Sequence, residues 1–121
     1  PYWGNRPQPI AFDARIEATT ADCSSEAPVS AKNVGNGLDL TCTMSDDAPG
    51  NDDRPYVQVR FDGCDDWERL DHDDGPDPVT VSTKVSPCGA ETAALDWQVC
   101  QTHGGPRRDD CHDGSTELPT G

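Results

Sequence analysis

From Ile10 to Thr19 the chain alternates: Ile10, Phe12, Ala14, Ile16 and Ala18 occupy one set of positions, and Ala11, Asp13, Arg15, Glu17 and Thr19 the other. Successive side chains of an extended chain point to opposite faces, so this period of two predicts a strand over 10–19 with one buried and one wet side. The pattern returns in Leu38, Leu40, Cys42 and Met44, which alternate with Asp39, Thr41 and Thr43. It returns again in Val57, Val59 and Phe61, set between Tyr56, Gln58 and Arg60, then in Val79, Val81, Thr83 and Val85, and last in Leu95, Trp97 and Val99. No apolar period of 3.6 long enough for a helix occurs, and no repeat of fixed length aligns.

Turn chemistry separates these runs. Asn36-Gly37 leads into the second, and Ser45–Pro55 is wholly turn-forming. Asp65–Pro78 reads as an acidic loop in which Asp65 or Asp66 caps one helical turn through Trp67 and Leu70, before Gly75-Pro76 breaks it. Gln101–Gly121 reads as a long loop or irregular hairpin held by its cysteine, and the segment around Cys23 and Pro28 as a loop. Residues 1–9, with three prolines and two aromatics and no period, form an extended arm ahead of a single domain spanning 10–121. Short strands between turn signals predict an all-β fold, a small antiparallel β-sandwich of immunoglobulin-like or similar type.

Composition changes the picture at one point. Only 32% of the 121 residues are hydrophobic and the mean hydropathy is −0.79, values that border on disorder because burial must offset roughly 1–2 kcal/mol of backbone entropy per residue. Six cysteines, Cys23, Cys42, Cys64, Cys88, Cys100 and Cys111, sit at or beside the ends of the alternating runs and supply the missing restraint. Fifteen pairings are possible. The sequential one, Cys23 with Cys42, Cys64 with Cys88 and Cys100 with Cys111, is expected because each bond closes a loop between consecutive elements.

An even cysteine count without a C-x-x-C pair points to a secreted or extracellular protein, with a secretory signal presumed removed before Pro1. No apolar run approaches the length of a spanning helix. A formal charge of −14 repels phosphate backbones and anionic lipid, so nucleic acid and membrane insertion are not expected. Asp outnumbers Glu and Arg outnumbers Lys, a bias that fits a salt-adapted surface and a GC-rich genome equally.

Candidate chemistry is sparse. Asp71, Asp73 and Asp77, in the run Asp71-His72-Asp73-Asp74-Gly75-Pro76-Asp77, space carboxylates as a hard cation would need, and calcium, with roughly six to eight oxygen ligands, is the natural choice. The EF-hand pattern is not met, and a solvated acidic loop explains the same residues. A second acidic run, Asp46-Asp47 to Asn51-Asp52-Asp53, is weaker. Cys100, His103, Cys111 and His112 can be written as a zinc set, against the simpler Cys100–Cys111 bridge with two surface histidines. No nucleophile motif is present, which argues against an enzyme.

Aromatics carry the partner expectations. Trp97 takes a core-facing position. Trp67 either folds over the core edge or stacks on a sugar ring. Tyr2 and Trp3, in the arm, are candidate anchors that fill a partner's pockets together with Ile10. The leading functional expectation is a secreted structural or adaptor subunit of a filament, surface layer or particle, docking on a protein of the same or a different chain through the arm or a strand edge. Two alternatives stand beside it: a carbohydrate-binding module using Trp67, with or without calcium, and a protease inhibitor presenting Gly104–Asp110 with its Arg107-Arg108 pair.

Overall fold

A computed structural model describes residues 7–16, 19–46, 55–72, 78–88, 94–102 and 108–119. Alternation translates into eight strands: β1 (Ala11–Ile16), β2 (Thr19–Ser25), β3 (Leu38–Asp46), β4 (Pro55–Phe61), β5 (Glu68–Asp71), β6 (Val79–Val85), β7 (Ala94–Gln101) and β8 (Asp110–Glu117). They form two antiparallel four-stranded sheets, ordered β1-β2-β3-β6 and β5-β4-β7-β8. β1 lies against β8 and β7, β3 against β4, and β6 against β5, so the inner faces of the two sheets meet as a sandwich. The interior is built from the inward positions: Phe12 and Ala14, Leu38, Leu40 and Met44, Val57, Val59 and Phe61, and Leu95, Trp97 and Val99.

All six cysteines are bonded, in the sequential pairing: Cys23–Cys42, Cys64–Cys88 and Cys100–Cys111. Cys23 and Cys42 are direct cross-strand partners on β2 and β3, as are Cys100 and Cys111 on β7 and β8. Cys64 follows β4 and Cys88 follows β6, so the third bond ties one sheet to the other. The Asn36-Gly37 turn is present: Gly37 has φ +95°, and its N–H donates to Val34 O at 2.8 Å, closing a short 3-10 turn at Val34–Asn36.

Four expectations are corrected. The strand expected over 10–19 ends at Ile16, which pairs with Thr19, so the chain has reversed by then and Thr19 opens β2. The segment around Cys23, expected as a loop, is that strand β2; its buried positions Thr19, Ala21, Cys23 and Ser25 are too small and polar to register as an apolar alternation. The helical turn expected through Trp67 and Leu70 is replaced by β5, where pairing with β4 outweighs the capping tendency of Asp65 and Asp66 and buries Leu70. Much of the tail expected as irregular is β8, paired with β7 over its full length.

β8 is hard to see in sequence because its inward position opposite Trp97 is Gly114. A β-carbon there would overlap Cζ2 and Cη2 of the indole. The ring instead lies across the glycine, stacks on Phe12 of β1 with centroids 5.2 Å apart, and donates its N–H to Thr116 Oγ1 at 3.2 Å. One side chain thereby joins β7, β8 and the opposite sheet.

Candidate functional site

Pairing register arranges the outer face of the β5-β4-β7-β8 sheet into three rows across the strands. Asp71, Tyr56, Cys100 and Cys111 form the first, and Arg69, Gln58, Gln98 and Asp113 the second. In the third, Arg60, Asp96 and Ser115 follow Trp67, which stands just ahead of β5 beside Arg60. All come from the wet positions of the alternation, yet they are not independent side chains. Gln58 and Gln98 bond to each other, Ser115 Oγ donates to Asp96 Oδ1 at 3.2 Å, and Arg60 Nε stands 4.0 Å from Asp96 Oδ2.

Guanidinium groups cap both aromatics of this face. Arg60 lies 4.2 Å from the centroid of the Trp67 ring, and Arg69 lies 3.7 Å from that of Tyr56. Trp67, left between the core edge and a sugar by sequence, is half-buried outside the core cluster, on this outer face. Between it and β8 a shallow depression of about 380 Å³ is lined by Arg60, Trp67, Asp96, Gln98, Asp113 and Ser115, with Gly114 at its floor. Among the described residues, buried Arg60 Nε has no hydrogen-bond partner.

Tyr56 is the titratable group this face perturbs most. Burial first, then the hydrogen bond its hydroxyl donates to Asp109 Oδ2 at 2.8 Å, push its pKa up to about 12 from 10.0. A phenol whose folded pKa is raised stabilises the fold fully below its unfolded value and loses that contribution as pH rises through the folded one. The melting temperature is therefore expected to fall between pH 10 and 12, and Tyr56→Phe should flatten that segment of a thermal pH profile. On the other sheet, Asp13 and Asp22 face each other across β1 and β2, and the side-chain hydrogen bond that protonated Asp22 donates to Asp13, ahead of burial and charge repulsion, raises the Asp22 pKa.

The remaining expected site residues separate. Ile10 is only 5% exposed and belongs to this chain's own core, while Tyr2 and Trp3 lie outside the described residues. Asp71 is bonded to Arg69 Nε at 2.6 Å, Asp73 and Asp77 lie outside the described residues, and among those described no three metal-ligating side chains converge. Of the zinc set, Cys100 and Cys111 are joined to each other, His112 leans on Trp97 with centroids 6.0 Å apart, and His103 lies outside the described residues. The loop expected to face a protease is described only from Arg108, with Asp109 engaged by Tyr56. Asp47 and Asn51-Asp52-Asp53 also lie outside the described residues.

Sequence reasoning found Trp67 but not its companions Arg60, Asp96, Gln98 and Ser115. The signal was present in the alternation of β4 and β7, since Arg60 and Asp96 both fall on wet positions. What was missing was the register that sets them side by side.

Four strands lie at sheet edges, and they differ. β1 presents Asp13 and Arg15, β5 is four residues long with charges at three of them, and β8 carries three carboxylates. β6 (VTVSTKV) has five β-branched residues in seven and Lys84 as its single charge; Val79, Val81 and Thr83 are half-buried. Among the described residues, no helix is long and apolar enough to cross a membrane. Compared with protein-family models, curated proteins and solved structures, the chain matches none.

Proposed function

We propose that this protein is an exported, non-catalytic structural or adaptor subunit of an extracellular assembly, and that it docks through the open edge of β6. The observation that carries the reading is the contrast between that strand and the rest of the chain. In a protein of formal charge −14, β6 is an edge with no acidic residue, no proline and no bulge in its pairing with β3. Soluble proteins blunt such edges with charge or proline, because unpaired N–H and C=O groups accept a further strand; here the one charge, Lys84, lies 3.7 Å from Asp39 on the neighbouring β3. Three disulfides are compatible with life outside the reducing cytosol.

The finer architecture we propose is immunoglobulin-like. β3 and β6 stand side by side in one sheet while their successors β4 and β7 stand side by side in the other, which is the crossing arrangement of that fold.

Geometry identifies which atoms face the edge. Cys23 and Cys42 have Cα atoms 4.0 Å apart, close to the spacing of about 4.5 Å for a pair that shares no backbone hydrogen bonds. Cys42 therefore turns its N–H and C=O toward β6, where Val81 is its partner, and Thr80 and Ser82 on either side of Val81 direct theirs to the open edge. Ser82→Pro removes an edge-facing donor without removing a ladder bond.

Sedimentation of the intact protein over a concentration series tests the reading. Association is expected for the wild type, and Ser82→Pro should be monomeric with its melting temperature nearly kept. A wild type that stays monomeric alone and in its native extract, or a proline variant that still assembles, would overturn edge docking. Deleting residues 1–9 tests the arm by the same measurement.

A further inference from the structure

We infer that the depression beside Trp67 is a binding site for a neutral oligosaccharide lying across β4, β7 and β8, a function separate from edge docking. Its lining is the first reason. Planar groups able to take two adjacent hydroxyls, the Arg60 guanidinium, the Asp96 and Asp113 carboxylates and the Gln98 amide, stand with Ser115 around one half-exposed indole. Few polar groups at fixed positions beside an aromatic surface are what small-molecule recognition uses. These side chains are also held in place: Arg60 stacks on Trp67, Asp96 accepts from Ser115, and Gln98 is paired with Gln58.

The Arg60–Asp96 pair points the same way. Arg60 Nε is itself closed to solvent and 4.0 Å from the Asp96 carboxylate, but the two side chains keep 32% and 29% of their surface exposed, so a sugar hydroxyl meets the remainder of the guanidinium as acceptor and the carboxylate as donor.

Charge selects the ligand class. Two carboxylates and one guanidinium line the depression, on a chain of formal charge −14, so an anionic polysaccharide or a phosphate-bearing chain is repelled. Length selects the size: from Trp67 beside β5 to Ser115 on β8 is three inter-strand spacings, roughly 14 Å, which suits several sugar units rather than one. At Gly114 the Trp97 indole lies against the bare backbone from the core side and helps form the floor.

The test is affinity electrophoresis and titration calorimetry of the intact protein against neutral polysaccharides and their soluble hexasaccharides: β-glucan, α-glucan, xylan, mannan and chitin, with alginate and heparin as anionic controls. Binding to at least one neutral glycan is expected. Trp67→Ala should weaken it by about tenfold or more, and Ser115→Ala by a smaller factor, with melting temperatures close to wild type. Thr41→Ala, on the opposite sheet's outer face, should leave it unchanged. The inference is overturned if no neutral glycan binds, if only the anionic controls bind, if binding survives Trp67→Ala in the folded protein, or if the surface captures a protein and no sugar.

Discussion

Replacing Cys64 and Cys88 together by serine is expected to lower the stability of the fold by about 3–4 kcal/mol, as restriction of the unfolded chain predicts for a closed loop of this length. The position of the bond adds to its loop length. The other two disulfides join residues that already face each other in a ladder, whereas this one is the covalent link between sheets. Without it, the β5 and β6 end of the sandwich relies on apolar contact alone, and β6 contributes only half-buried Val79, Val81 and Thr83 with buried Val85. For a chain of this size the change corresponds to a fall of roughly 10–20 °C in melting temperature. Calorimetry of the double serine variant checks it, and a fall of less than about 3 °C would show that the sheets hold together without the link.

Trp97→Ala is expected to cost about 3–5 kcal/mol, the range for deleting a buried aromatic. The ring is 9% exposed, and it alone spans Phe12 on β1 and the glycine floor of β8. Gly114→Ala should also destabilise, by about 1–3 kcal/mol, for the opposite reason: the added methyl drives into an indole that Phe12 prevents from retreating. The two losses should not add. In the Trp97→Ala background the alanine at 114 meets vacant space, so the double variant is expected to be more stable than the sum of the single effects by 1 kcal/mol or more, on the order seen for contacting residues. Equilibrium urea unfolding of all four proteins measures the coupling; strict additivity would mean that the ring does not rest on residue 114.

These two cases show what could be read in advance. Leu38–Met44, Val57–Phe61, Val79–Val85 and Leu95–Val99 declared themselves because large apolar residues recur at every second position, and each is a strand. The disulfide pairing was also legible, since the cysteines flank consecutive runs. β2, β5 and β8 were not. The inward residues of β2 and β8 include Thr19, Ser25 and Gly114, whose burial depends on a partner strand and not on their own hydropathy, and β5 is four residues long with one buried position, Leu70, too few to show a period. The cluster around Trp67 was hidden for a related reason: Arg60, Asp96 and Ser115 are 19 to 55 residues apart in sequence, and only the β4-β7-β8 register brings them into one row.

The sulfur bonds also determine how the protein answers to tension. A pull on the two ends passes through each bridge as a short cut, and the spans 23–42, 64–88 and 100–111 stay gathered behind it. At about 3.3–3.6 Å per extended residue, little more than half of the contour can be drawn out before a covalent bond must break. A tether built from such units would lengthen briefly under load and then stiffen.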